Sequence, residues 1–375
     1  MELTIQKSPF LKALSHGQSI VEKRNTVPVL SHVLLSATQA GLTLTSTDLD
    51  LSLIETISAQ VKIAGRICVP AHLLYDIIKK LPDLPIDLAI NHETQQLNIK
   101  AGRSIFNLPG LSPDNFPEIT STPLSHSFDI SAKDLCFMID YTKFAMSEDV
   151  LRQHLNGIYF HLHEDNGLKM RAVASDLHRL ACVSVDAPED LTDMPYTIIG
   201  RKAILEIRKL LDESQETVKI GLSDRRFELN IQNSKSNISF STRLVDGLFP
   251  EYQHALDESV ERSVTVNTRA LADAADRVST VITGSDKILR INLDGTQAKL
   301  SAVSQQLGAA NEEIDVVSTS NEPIQICFNV SYLLDVANLI KDEEMRLDIT
   351  SIDTPTVLRP ANTNNQVYVI MHLTA

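Results

Sequence analysis

Tryptophan is absent from the 375 residues, and aromatic side chains make up only 5% of them. Cores built from such a chain rest on Leu, Ile and Val. Cysteine is scarce as well: Cys68, Cys136, Cys182 and Cys327 lie far apart, each inside an apolar run (RICVP, DLCFMI, LACVS, QICFNV). That spacing argues against a disulfide framework or a paired-thiol metal site and reads as buried free thiols. His161 and His163 come nearest to ligand spacing, but they fall in a strand-like run, and no metal is assigned to them. No stretch reaches about 18 consecutive apolar residues, and the opening MELTIQKSPFLKAL has no continuous apolar block. A soluble, cytoplasmic chain without membrane contact is expected. Basic residues number 34 against 48 acidic ones, a net charge of −14. Taken whole, that balance disfavours nucleic acid, because phosphate neutralisation drives non-specific affinity. It does not report where the charges sit.

Against these absences stands a hydrophobic fraction of 43% with no long polar tract, so the chain is folded throughout. Its length suggests two or three domains at about 150 residues each. Self-similarity makes the number three. MELTIQKSPFLKALSHG, HSFDISAKDLCFMIDYTKFAMS and RSVTVNTRALADAADRVSTVI each alternate first and then take a helical period. Ser8 with Pro9, Ser131 with Asp134, and Asn267 or Thr268 supply N-terminal capping signals at the equivalent point. A second strand-to-helix segment also recurs, as RICVPAHLLYDIIKKLPD, PYTIIGRKAILEIRKLLDES and PIQICFNVSYLLDVANLIKDEE. Core stripes are expected from Leu74, Ile77, Ile78 and Leu81, from Ile204, Ile207, Leu210 and Leu211, and from Leu333, Val336, Ala337 and Ile340. Between the helices, Gly41, Asn166-Gly167 and Asp294-Gly295 mark hairpin turns at matching places. The fold class is therefore α+β, three tandem copies of one unit with two helices packed on antiparallel sheet. The polar stretches ITSTPLSHS and HALDESVERS set the expected domains at 1–122, 123–257 and 258–375.

Nine segments in order resemble the bacterial DNA sliding clamps, the beta subunits of DNA polymerase III. They are TVPVLSHVLL, LTLTSTDLDLSL, ICVPAHLLYDIIKKLP, AGRSIFNLPGLSPDNFPEI, HLNGIYF, AVASDLHRLA, FSTRLVDGLFPEY, FNVSYLLDVANLI and VYVIMHL, and they span essentially the whole chain. The resemblance implies a head-to-tail homodimer whose six domains close into a ring, with helices lining a hole that duplex DNA threads. Such a ring slides without sequence specificity, and its processivity is topological. The implied partners are the replicative DNA polymerase, a separate ATP-dependent clamp loader and other proteins carrying clamp-binding motifs. No cofactor is implied and no catalysis.

Residue by residue, the resemblance places a partner-peptide pocket at Leu155, Ser175, His178, Arg179, Leu180, Pro250, Ala255, Val369 and Met371. Leu155, Leu180, Val369 and Met371 would form its apolar floor, His178 and Arg179 its polar rim. DNA contacts are expected from Arg24, Lys79, Lys80, Arg152, Arg201 and Lys202, within a wider set of basic helix positions that includes Lys12, Lys133, Lys143, Arg208 and Lys209. In the third copy, Asp273 and Asp276 balance Arg269 and Arg277. The ring interface would use Phe106 and Leu108 against Val281 and Ile282, with Arg103 facing Glu312 or Glu313. Four places depart from the family: His72 and Gln153-His154 replace residues that touch DNA, Leu177 stands where glycine is common, and His372 stands where proline is common.

Two other classes compete. Ser175, Asp176 and His178 are the only suggestive catalytic cluster, but close neighbours on one extended segment point apart and do not make a nucleophile-base chain. No G-x-S-x-G elbow, P-loop or H-E-x-x-H accompanies them. The alternative within binding proteins is a three-domain peptide adaptor that never encircles DNA.

Overall fold

The computed structural model describes residues 1–373 other than 24, 92, 120–122, 213–215, 235, 257–259 and 283–286. Contacts divide the chain into two units, residues 1–136 with 188–245 and residues 137–187 with 246–375. The expected boundaries at 122/123 and 257/258 involve residues outside the described set.

Six helices are described: α1 Lys7–Ile20, α2 Ala71–Lys80, α3 Ala132–Asp140, α4 Arg201–Leu211, α5 Thr268–Ser279 and α6 Val330–Leu339. Each follows a strand directly or within one residue, in keeping with the switch from alternation to helical period. The stripes are where the periodicity puts them. Leu74 and Ile78 are fully buried, with Ile77 half-buried beside them; Ile204, Ile207, Leu210 and Leu211 are buried, as are Leu333, Val336, Ala337 and Ile340. Capping is less uniform. Asn267 Oδ1 accepts from the Ala270 amide at 2.9 Å, as expected, and Asn329 Oδ1 caps α6 by accepting from Ser331 at 3.0 Å. Ser8 is not a cap: α1 starts one residue earlier, Gln6 takes the cap position without a side-chain bond, and Pro9 lies in the first turn.

In the first unit, one sheet runs in the order Gln60–Ile63, Glu2–Ile5, Ile86–Asn91, Gln96–Ala101, Ser104–Pro109. A second runs His126–Ser131, Thr217–Leu222, Arg226–Gln232, Ser236–Arg243, Leu51–Ile57, Gly41–Thr47, His32–Thr38, Gly65–Pro70. In the second unit the order is Gly157–Glu164, Leu168–Ser175, Arg179–Asp186, Gln366–Ile370, Thr356–Pro360, Glu344–Ile349, Arg262–Asn267, Gly308–Ser318, Gln297–Ser304, Ile288–Asp294, Ile324–Asn329. All of these ladders are antiparallel.

Two of these pairings join different copies of the repeat. The closing strand of the second copy pairs with the first copy, Ser236↔Ile57 through Thr242↔Leu51. The closing strand of the third pairs with the second, Arg179↔Ile370 through Val183↔Gln366. Each contact unit thus gathers parts of neighbouring copies around a shared sheet. By the same count, the closing strand of the first copy, Ser104–Pro109, pairs among the described residues only with Gln96–Ala101. In the third copy, residues 308–315 pair with Gln297–Ser304 on one side and with no other described residue.

The turn glycines have different constraints. Gly41 lies at φ +128°, and a Cβ there would come within 2.4 Å of the Ile57 carbonyl oxygen, whereas Gly167 at φ +113° faces open space. Gly41→Ala is expected to cost about 3 kcal/mol, at the upper end for a strained backbone position. Gly167→Ala, with backbone strain alone, should cost about 1 kcal/mol. Urea unfolding of both variants checks this, and equal losses would show that the Ile57 carbonyl is not what demands glycine.

Candidate functional site

The strand Leu168–Ser175 ends in a tight turn before Arg179–Asp186, and hydrogen bonds lock that turn. Asp176 Oδ1 accepts from the amides of His178 at 3.0 Å and Arg179 at 2.9 Å. Ser175 Oγ donates to the Arg179 carbonyl at 2.9 Å and accepts from the Leu177 amide at 3.1 Å. Closing the turn sets Leu177 at φ +72°, in the left-handed region. This explains why glycine suits the position, since a side chain there costs about 1–2 kcal/mol. The Leu177 side chain is half exposed.

Next to this turn is a concavity of about 160 Å³. Of the nine residues expected to form a peptide pocket, Ser175, Arg179, Leu180, Pro250, Ala255, Val369 and Met371 line it. Leu180 and Val369 are buried at its base, and Met371 is 42% exposed. Leu155 does not line it: the side chain is 1% exposed and belongs to the core, as the last residue of a 3-10 turn. His178 is exposed outside the concavity and contributes its backbone, the carbonyl accepting from the Met371 amide at 2.9 Å.

Arg179 has a firmer role than a rim. Its Nε donates to Asp176 at 3.0 Å, Nη2 to the Phe144 carbonyl at 2.8 Å, and Nη1 to Asp335. The guanidinium also lies 4.4 Å from the Tyr332 ring centroid and 5.2 Å from that of Phe144. With all three nitrogens hydrogen-bonded and two aromatic rings close by, it acts as a pin for the strand that carries Leu180.

Phe249, Glu251, Tyr252, Leu177 and Pro355 complete the lining. The run FPEY carries three of them, but its alternation is too short to show which side chains turn inward. Tyr252 is held by an aromatic stack: Phe249 against Tyr159 at 5.3 Å and Tyr159 against His161 at 4.8 Å, with His161 Nε2 2.7 Å from the Tyr252 hydroxyl. Burial raises the Tyr252 phenol pKa, so it stays protonated. At the other end, His372 Nε2 is 2.6 Å from Thr356 Oγ1 and Nδ1 is 2.9 Å from the Ile352 carbonyl. A histidine in this place fixes the strand end by side-chain hydrogen bonds that a proline lacks.

The expected DNA contacts divide. Lys79 and Lys80 are exposed at the C-terminal end of α2, Lys79 lying 5.6 Å from the Tyr75 ring centroid. Arg152 is exposed with Asp149 3.5 Å away, and Arg201 is half-buried at the start of α4. Lys202 is exposed, with its Nζ 2.6 Å from Asp48 Oδ2 and 3.0 Å from the Ile20 carbonyl at the end of α1. On the same helix Lys209 pairs with Glu206 at 2.7 Å and Arg208 with Asp212 at 2.5 Å. Arg24 lies outside the described residues. In the third copy Arg269 is 3.5 Å from Asp273, as the balance of charges predicted, but Arg277 turns instead to Glu312.

At the edge strand Ser104–Pro109, Phe106 is 39% exposed and Ile105 66% exposed, with Arg103 exposed next to them. Leu108, at 3% exposure, packs into the first-copy core. Val281 and Ile282 are half-buried. Glu312 is gripped by Arg277, Nη2 to Oε1 at 2.5 Å and Nε to Oε2 at 3.0 Å, which holds the carboxyl below its usual range. Glu313 is 3.4 Å from Lys299. Both acids expected to face Arg103 thus already have partners in their own chain.

Three family models match in tandem: the N-terminal domain of the DNA polymerase III beta subunit over residues 1–120, the central domain over 129–251 and the C-terminal domain over 254–374. The fold is three tandem clamp domains, and the chain belongs to the DNA polymerase III beta subunit family, the bacterial sliding clamps. It is 36% identical to the beta sliding clamp of Caulobacter vibrioides over 377 aligned positions, covering 100% of both chains. Among solved structures it is similar to the Bartonella birtlesii sliding clamp bound to griselimycin (37% identity, TM-score 0.94) and to the Pseudomonas aeruginosa clamp (34% identity, TM-score 0.91), each covered completely.

The histidine beside Tyr252 gives the site a pH response. Burial lowers the pKa of His161 below 6.5, and Arg171 and His163 add to the effect; burial and Arg171 lower His163 likewise. The unfolded chain therefore binds more protons than the folded one below about pH 6.5, and stability falls as pH drops through that value toward the folded pKa. Urea midpoints measured from pH 7.5 to 5 should fall steeply in the native protein and less steeply in His161→Gln. The same slope in both would remove His161 from this account.

Proposed function

We propose that this chain is a DNA polymerase processivity factor: two copies close head to tail into a six-domain ring that encircles duplex DNA, slides without sequence specificity and tethers the replicative polymerase and other proteins. The strand-edge pattern is the observation that carries this reading. The closing strand of one copy pairs with the neighbouring copy twice within the chain, leaving one closing edge at Ser104–Pro109 and one accepting edge at 308–315. Unpaired edges are hazards that proteins cover or close, and a second chain supplies what each edge lacks. The contact is heterologous, and two such contacts close the dimer. Arg103, Ile105 and Phe106 would lie on one side of it, with residues 308–315, Val281 and Ile282 on the other.

Arg24, Lys79, Lys80, Arg152, Arg201 and Lys202 are the proposed phosphate contacts. Threading makes a small basic excess sufficient in a chain of net charge −14. The concavity around Leu180, Val369 and Met371 is the proposed pocket for partner peptides, where each buried Leu or Phe of a partner gains roughly 1.5–3 kcal/mol. Met371, unbranched and partly exposed, adapts to different partners. The B. birtlesii relative was solved bound to griselimycin. The protein has no catalytic role in this reading and needs no cofactor; ATP is consumed by a separate loader, and the chain works in the cytoplasm. Domain limits of 1–122, 123–257 and 258–375 complete the proposal.

The test against a non-encircling adaptor is topological: protein loaded on nicked circular DNA should be released when the circle is cut, and retention on linear DNA would defeat the ring. Light scattering at micromolar concentration should give twice the 41.5 kDa chain mass. Ile105→Asp with Phe106→Asp should reduce it to one chain; a dimer that survives both charges would displace this edge from the interface. Met371→Ala combined with removal of the residues after 371 should weaken binding of a polymerase-derived clamp-binding peptide at least tenfold in a fluorescence titration, about 1.4 kcal/mol, with the mass unchanged. Unaltered affinity would move the peptide site elsewhere.

A further inference from the structure

Behind the segment that closes the peptide concavity lies a larger cavity, about 690 Å³, within the second unit. The two share walls. Tyr252 and Ala255 line the first and Gln253 and Leu256 the second, while Val369 and Val367 of one strand do the same. None of the residues discussed above as DNA, dimer or peptide contacts lines the larger one.

Its charge is unusual for an acidic chain. Arg171, Arg346 and Arg359 enter it from three strands, opposed by Asp165 and Asp348. Asp348 is 4% exposed and already served: Oδ2 lies 3.0 Å from both Nε and Nη2 of Arg346, and Oδ1 accepts from Ser263 Oγ at 2.8 Å. Asp165 is half exposed and 3.9 Å from Arg171. That leaves Arg359. Its Nε is buried without a hydrogen-bond partner, 3.7 Å from Asp348, and its Nη2 makes a long 3.4 Å bond to the Leu256 carbonyl. A guanidinium has five N–H donors, and most of these are unspent at the wall of an open cavity. Three arginines against two carboxylates leave a surplus positive charge in surroundings that strengthen it.

We propose that this cavity binds a nucleoside polyphosphate. Arginine forks match phosphate oxygens in pairs, and the volume falls within the range of small-molecule sites, far beyond the need of a single inorganic anion. The amides of Asn166, Gln253 and Asn364 and the apolar Leu256, Val260 and Val367 line the same cavity and supply the hydrogen-bonding groups and apolar surface that a base and sugar require. A ligand there rests on the same turn as a peptide in the neighbouring concavity.

Calorimetric titration of the full-length protein with dATP, inorganic pyrophosphate and citrate, without added magnesium, tests the assignment. One dATP per chain should bind saturably, pyrophosphate at least tenfold more weakly and citrate more weakly still. Arg359→Met should weaken dATP at least tenfold. Val260→Trp, at a residue 41% exposed and so tolerant of change, should do the same by filling the cavity mouth, with circular dichroism and melting temperature retained. Absence of saturable dATP binding up to millimolar concentration would overturn the proposal. So would dATP affinity unmoved by Val260→Trp, or equal affinities for dATP, pyrophosphate and citrate.

Discussion

Every strand edge in this molecule offers a row of backbone donors and acceptors, and the pairing of those rows between copies of the repeat is the constraint on which the remaining structure depends. A single copy, with its two helices on one side of its strands, leaves an edge at its closing strand and another at the third strand of its hairpin series. Within the chain, Ser236–Thr242 against Leu51–Ile57 and Arg179–Val183 against Gln366–Ile370 satisfy two such pairs. Hydrogen bonds between the copies cost little in side-chain specificity, because the backbone supplies them whatever the sequence. The copies have therefore been free to diverge in their surfaces while the joint between them is kept.

Divergence has separated the tasks. In the second copy the turn at Asp176–Arg179, locked by Asp176 and pinned by Arg179 between Tyr332 and Phe144, holds the strand that meets the third copy's terminal strand, and the concavity opens at that joint. The joint between the first two copies is sealed instead by polar contacts, with Ser19 Oγ donating to Glu206 at 2.5 Å and Lys202 2.6 Å from Asp48. One junction carries the proposed peptide pocket and the other is closed by polar contacts. Basic residues serve different ends: Lys79 and Lys80 stay exposed, while Lys202, Lys209 and Arg208 of α4 pair with Asp48, Glu206 and Asp212.

The repeat was legible because local chemistry marks it. Asn166-Gly167 and Asp294-Gly295 turn hairpins wherever they occur, Asn267 caps α5, and the helical stripes report burial by period alone. Much of the site was legible only through family resemblance, which placed Leu180, Val369 and Met371 together although they lie far apart in sequence. What escaped has physical reasons. Leu108 was expected beside Phe106 through the family resemblance, yet Ile105, Phe106 and Asn107 are all exposed along the edge while Leu108 turns into the core. Leu155 shows that an apolar residue near a pocket can serve the core behind it. Lys202 and Asp48 are separated by 154 positions, and Arg277 and Glu312 by 35; no periodicity reports ion pairs made by folding. Tyr252 needed its stack with Phe249, Tyr159 and His161 to be recognised as a wall.

Closure of the ring depends on the two edges left over. Amide hydrogen exchange resolved to residues 104–108 and 308–315, followed as a function of protein concentration, tests it most directly. Both segments should be protected together at micromolar concentration and lose protection together on dilution, while Leu51–Ile57 and Gln366–Ile370, paired within the chain, stay protected throughout. Fast exchange at both edges at every concentration, with the rest of the sheets protected, would contradict closure by a second copy.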